Sequence, residues 1–155
     1  MTNLIESWQQ SSRLGPCACS ELRRATRRVS AFYDSALRAA GLTVTQHSLL
    51  VNIARAGEIS RTGLAARVGM DRTTLTRNLL PLERAKLVEP APASTDRRER
   101  LLRLSTAGRR KLRASYPLWE KAQQGFAEEF GPERLEKLRR LLEQAQAAAS
   151  ALAEG

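Results

Sequence analysis

The chain has 155 residues, 42% of them hydrophobic, enough for one core and one domain; nowhere do about 18 apolar residues follow one another, so no bilayer-spanning helix is expected. Its 26 Lys and Arg outnumber 16 Asp and Glu for a net charge of +10, which calls for a polyanionic partner or an acidic surface. The opening "MTNLIESWQQSSRLGP" lacks the basic start and apolar run of a signal peptide, and Cys17 and Cys19 are too few and too close to form a disulfide framework, so a cytoplasmic location is expected.

From Ser20 the apolar positions Leu22, Ala25, Val29, Phe32, Tyr33, Ala36, Leu37 and Ala40 fall at helical spacing, and Gly41 supplies a stop. This predicts a helix of about 21 residues, roughly 30 Å long, with Arg23, Arg24, Arg27 and Arg28 on its back. "TVTQHSLLVNIARAG" opens with capping threonines and closes at Gly57, a shorter second helix. "ISRTGLAARVGMDRTTLTRNLLPLERAKLV" then holds two amphipathic pieces hinged at Gly69, with Leu64, Ala65 and Val68 facing inward from the first and Leu75, Leu79 and Leu82 from the second. That is helix-turn-helix spacing.

"LVEP" and "RLLRLS" have strand character and are joined by "APASTDRRE", which predicts a β-hairpin wing. Ser105 is placed to cap a helix carrying Leu112, Tyr116, Trp119, Ala122, Phe126 and Phe130 on one face, bent by Pro117. Gly131 and Pro132 separate it from a last helix bearing Leu135, Leu138, Leu142, Ala145, Ala149 and Leu152. The fold class is therefore mainly α with a small β-hairpin: a winged helix-turn-helix with long N- and C-terminal helices. The terminal stripes exceed what so small a centre can cover, and a twofold dimer is the economical way to bury them.

Charge is concentrated in the centre. Residues 61–113 carry fourteen basic and five acidic side chains, whereas residues 114–155 carry five and seven. The second helix of the helix-turn-helix presents Arg72, Thr73, Thr76 and Arg77 outward; arginine reads the guanine edge with two hydrogen bonds, and threonine reaches phosphates or thymine methyls. A solvated charged face is the ordinary explanation for such residues, and the motif before them reverses that preference. In the wing, Arg97, Arg98, Arg100 and Arg103 lie within seven positions. Arg97 and Arg98 at the tip suit a minor groove, whose negative potential favours an inserted arginine, and Asp96 suits an orienting role; charges guarding an edge against aggregation are the alternative.

The order "GLTVTQHSLL", "LAARVGMDRTTLTRNL", "LERAKLV", "DRRERLLRLSTAG" resembles the MarR family of winged helix-turn-helix regulators over roughly residues 20–150. The resemblance implies a twofold dimer built from residues 1–40 and 105–155 around a DNA-binding lobe at 41–104. It further implies a recognition helix in the major groove, matched by Arg72, Thr73, Thr74, Thr76 and Arg77, and a wing in the minor groove, matched by Asp96 and Arg98. The expected partner is a pseudo-palindromic DNA operator, and the expected role is most often that of a repressor, controlled by a small ligand or by thiol oxidation. A small aromatic or phenolic effector would occupy a cleft bordered by Phe32, Tyr33, His47 and Trp119, although a core role is the plainer reading of each. Two departures stand out: Lys86 where the family has glycine, so that a left-handed turn there costs about 1 kcal/mol, and Pro81 late in the recognition helix, which should kink or restart it.

Cys17 and Cys19 sit at the start of the first helix, where positive charge lowers a thiol pKa; oxidant sensing is the sharp hypothesis, and small residues at a dimer interface the plainer one. His47 is the single histidine and has no partner at metal-ligand spacing, so neither a metal nor a cofactor is proposed. No phosphate loop, nucleophile elbow or paired acids occur, and catalysis has no candidate residues. From another class, a winged-helix module that meets a protein or binds nucleic acid without sequence preference is the alternative.

Overall fold

The computed structural model describes residues 15–91 and 101–154. Helix α1 spans Ala18–Leu37 and tightens into a 3-10 turn, Arg38–Ala40, that ends at Gly41 with φ 64°, a left-handed conformation glycine adopts without strain. Helix α2 spans Val44–Ala56 behind a capping box: the Gln46 amide donates to the Thr43 hydroxyl at 3.2 Å, and the Thr43 amide donates to the Gln46 side chain at 3.0 Å. Strand β1 is only Ile59–Ser60, and Ser60 also caps α3, Arg61–Val68. After a left-handed Gly69, α4 runs Arg72–Arg84. Strands β2, Val88–Pro90, and β3, Leu101–Leu104, lead into α5, Thr106–Phe130, capped by Ser105, and α6, Pro132–Glu154.

The three strands form an antiparallel sheet in the order β1-β3-β2, with Ile59 opposite Leu102 and Glu89 opposite Arg103. The two-stranded wing read from sequence thus has a third, two-residue strand that anchors the start of the helix-turn-helix. Alternation along β3 is clean, Leu102 and Leu104 being buried while Leu101 and Arg103 are half-buried. Beneath the sheet, Leu49, Leu50 and Ile53 of α2 meet Leu64 of α3 and Leu75, Leu79 and Leu82 of α4. Each fully buried leucine contributes about 2 kcal/mol.

Both internal prolines are tolerated. Helix α4 continues through Pro81 to Arg84, and α5 through Pro117 to Phe130; Leu79 and Leu82, both buried, hold α4 in place on either side of the missing N–H, so the expected restart does not occur. Lys86 does take the left-handed conformation, φ 54°. The Leu87 amide reaches back to the Leu82 carbonyl and the Lys86 amide to the Glu83 carbonyl, both at 2.9 Å, the bonding of a Schellman turn with lysine in the glycine place. Burial of Leu87 against Leu82 outweighs the cost of the left-handed lysine.

The terminal helices are barely covered. Residues 18–29 of α1 and 143–153 of α6 are exposed throughout. Among large apolar side chains Leu22, Phe32, Leu141 and Leu152 are 43%, 44%, 51% and 84% exposed.

Candidate nucleic-acid interface

The start of α4 is held from beneath and from its end. Leu75 and Leu79 are buried, which turns Arg72, Thr73, Thr76 and Arg77 to the exterior. Asp71 caps the helix: its carboxylate accepts from the Thr74 amide at 2.8 Å and from the Thr74 hydroxyl at 2.6 Å. Those two bonds, hydroxyl first, hold the Asp71 carboxyl below its ordinary pKa. Thr74 is half-buried and its hydroxyl proton is committed to the cap, while the Thr76 hydroxyl donates to the Arg72 carbonyl at 2.8 Å. The long-reach donors left on this face are the guanidinium groups of Arg72 and Arg77, neither of which joins an ion pair among the described residues.

One polar link braces this helix against α3, and a second ties α3 to α2. Arg61 at the start of α3 pairs with Glu83 near the end of α4, and the Arg67 side chain of α3 donates to Asn52 of α2 at 3.1 Å. In the wing, Arg103 pairs with Glu89 directly across the strands at 2.9 Å. The expected wing-tip residues Asp96, Arg97 and Arg98 lie outside the described residues.

The four residues expected to border one cleft fall into two groups. Phe32 and Tyr33 of α1 pack with Phe126 of α5, ring centroids 6.1 and 6.0 Å away, and the Tyr33 hydroxyl donates to Gln123 at 2.9 Å. Burial pushes the Tyr33 pKa up. His47 and Trp119 instead stack on one another at 5.8 Å and 21°, beside a cavity of about 290 Å³ that Val51, Asn52, Arg55 and Tyr116 also line. Asn52 and Arg55 escaped the sequence reading, which placed Tyr116 only on an apolar helix face, although His47, Val51 and Arg55 recur every four residues along one face of α2.

Cys17 is the N-cap of α1, and both cysteines are exposed free thiols. The amide of Ser20, then its hydroxyl, favours the thiolate and lowers the Cys17 pKa. Among the described residues no three His, Cys, Asp or Glu are grouped to hold a metal ion, and no helix is long and apolar enough to cross a membrane.

A model described as the MarR family matches residues 40–99, the span from the end of α1 into the wing. MosR, a transcriptional regulator of M. tuberculosis, is 37% identical over 88% of this chain and 98% of its own, with a TM-score of 0.74. The chain belongs to the MarR family. It thereby joins a family of transcriptional regulators rather than enzymes. MosR in complex with DNA is similar at 38% identity, 86% and 98% coverage and a TM-score of 0.73. A probable transcriptional regulator from Pseudomonas aeruginosa matches at 27% identity over 86% of this chain and 99% of that one, with a TM-score of 0.75. Comparison with curated protein sequences gave no significant match.

Proposed function

We propose that this MarR-family chain is a homodimeric, sequence-specific DNA-binding regulator, a repressor in its resting state, whose α4 reads the major groove. The observation that carries this is the start of α4: Arg72 and Arg77, which join no ion pair among the described residues, are exposed on a helix whose cap, Asp71, and inner face, Leu75 and Leu79, fix its direction. Thr73 and Thr76 add short-range contacts beside the arginines, and Thr74 serves through the cap. Arg97 and Arg98 enter the minor groove, oriented by Asp96. The DNA-bound form of MosR supports the same use of this fold here.

Residues 41–104 form the reading lobe, and residues 1–40 and 105–155 the pairing helices. Support comes from the exposed Leu22, Phe32, Phe130 and Leu141, which one self-complementary surface would cover. Release follows a small ligand seated between lobe and pairing helices, or oxidation of Cys17 and Cys19, supported by the lowered Cys17 pKa. The chain works in the cytoplasm.

Footprinting on genomic fragments with excess nonspecific competitor tests the reading. A protected pseudo-palindrome with half-sites about one helical turn apart is expected. The net charge of +10 favours the other reading, a module that grips any duplex; uniform protection would establish that one instead.

A further inference from the structure

The corner between α1 and α2 is held by two hydrogen bonds that reach it from separate elements. The first amides of a helix have no partner within it, and in α2 the Gln46 amide is met locally, by the Thr43 hydroxyl. The Val44 amide is met from another helix: it donates to Oδ1 of Asp34, on α1, at 2.6 Å. On the other side of the corner, the 3-10 turn Arg38–Ala40 presents its last carbonyl, that of Ala40, to the Lys111 ammonium of α5, which donates to it at 3.1 Å. Asp34 and Lys111 are both half-buried, and neither joins an ion pair among the described residues. Each charge is directed at the backbone of a neighbouring element.

A cap that serves only its own helix needs no residue from elsewhere, as Thr43 and Ser105 demonstrate. What a cap from α1 adds is direction. Leu37 and Leu42 are buried on either side of the corner, but apolar burial is non-directional and lets helices turn on one another, whereas a hydrogen bond weakens steeply off its line. Helices α1 and α5 are joined farther along by the Tyr33–Gln123 bond, 2.9 Å, and make the frame on which the lobe rides. Helix α2 carries the lobe, because Leu49, Leu50 and Ile53 pack with Leu64 of α3 and with Leu75 and Leu79 of α4. One end of the lobe is seated on α5 through the Ser105 bond to the Lys86 carbonyl; Asp34 and Lys111 seat the other. A body fastened at one end turns about that fastening, and fastened at both it keeps its angle.

Resting on the reading of the chain as a homodimer on a pseudo-palindrome, we infer that Asp34 and Lys111 fix the angle between the reading lobe and the pairing helices, and thereby set the half-site separation that the dimer accepts. Both are positioning residues: they act through α2 and the corner and leave the base contacts of Arg72 and Arg77 as they are. Specificity then has two separable parts. Which bases are read is decided on α4; how far apart the two readings fall is decided where α1, α2 and α5 meet. Asp34→Asn keeps an oxygen for the Val44 amide, Asp34→Ala removes it, and Lys111→Met keeps the stem and removes the donor.

The test uses the duplex found by footprinting, rebuilt with one base pair removed from or added to the spacer between its half-sites. The parent chain is expected to prefer the native spacing over either altered one by at least about tenfold. Asp34→Ala and Lys111→Met are expected to narrow that preference to about threefold or less, with single-base preferences at the native spacing unchanged, and Asp34→Asn is expected to keep the parent's profile. A loss of affinity by one common factor at all three spacings, with the tenfold preference kept, overturns the inference and makes the two bonds merely structural. Narrowing by Asp34→Asn as great as by Asp34→Ala also overturns it, because the bond is then not the cause. If Asp34→Ala shows no cooperative thermal transition, Lys111→Met decides alone, and a retained preference there overturns the inference. A parent chain that protects a pseudo-palindrome yet accepts all three spacings equally overturns the inference and keeps the regulator reading. Uniform protection of every duplex overturns both.

Discussion

Gly108 lies directly against the carbonyl of Leu87. A Cβ at Gly108 would collide with the Leu87 carbonyl oxygen and stand 2.9 Å from its carbon. The same carbonyl accepts from the Ser105 amide at 3.1 Å, and the Ser105 hydroxyl donates to the Lys86 carbonyl at 2.7 Å, so the start of α5 is seated on the corner that ends α4. Gly108→Ala forces backbone from backbone and should cost about 1–3 kcal/mol, read as a lowered thermal midpoint. An unchanged midpoint would mean that α5 is not seated this way.

Lys86 gives the opposite sign. Held at φ 54° in a turn whose hydrogen bonds do not involve its side chain, it gains from losing its Cβ. Lys86→Gly should raise stability by about 1 kcal/mol, measured by denaturant unfolding at unchanged m-value.

At the recognition helix, two substitutions separate reading from placing. Arg77→Ala should relax base preference at one position per half-site by about 1–3 kcal/mol, seen by binding to a panel of single-base operator variants. Asp71→Ala removes the cap and should weaken binding to every sequence alike, while Asp71→Asn, which still accepts from the Thr74 amide, restores most of it. A sequence-selective loss in Asp71→Ala would place that residue on the bases themselves.

His47 supplies a pH dependence. Burial holds its pKa below the ordinary 6.5, so the native ring stays neutral while the unfolded chain takes up a proton. Its contribution is whole above about pH 6.5 and is lost as the pH falls below that, levelling off beneath the depressed native value. Thermal midpoints followed from pH 7.5 to 5 should therefore fall, and fall less steeply in His47→Phe. Parallel slopes in the two proteins would show that the buried ring is not the titrating group.

Much of this architecture was legible because it is written in local chemistry. Thr43 and Ser105 announce helix starts by being able to accept from an amide two or three residues on, and Leu75, Leu79 and Leu82 declare an inner face by spacing alone. Strand β1 was not legible: two residues carry no period, and their pairing with Leu101 and Leu102 depends on contacts forty residues away. The aromatic residues show the same limit. Spacing tells which face of a helix Phe32 or Trp119 occupies but not which helix lies opposite, so one expected cleft became two clusters. Pro81 was read as a kink or restart and Pro117 as a bend because the lost N–H is local, whereas the packing that keeps the helices running is not. The link from Asn52 to Arg67 joins residues that no motif connects.

Helix α5 joins the reading lobe to the outer helices as one continuous rod. From Pro117 back to Thr106 is about 16 Å of helix, and at Pro117 the rod lacks one rung of its internal ladder. A pivot of about 10° there would carry Thr106 and the root of the wing through about 3 Å, close to the rise of about 3.4 Å between successive base pairs. With the reading lobe carried along on the start of α5, a change of angle of that size is enough to put the protein about one step out of phase with its duplex.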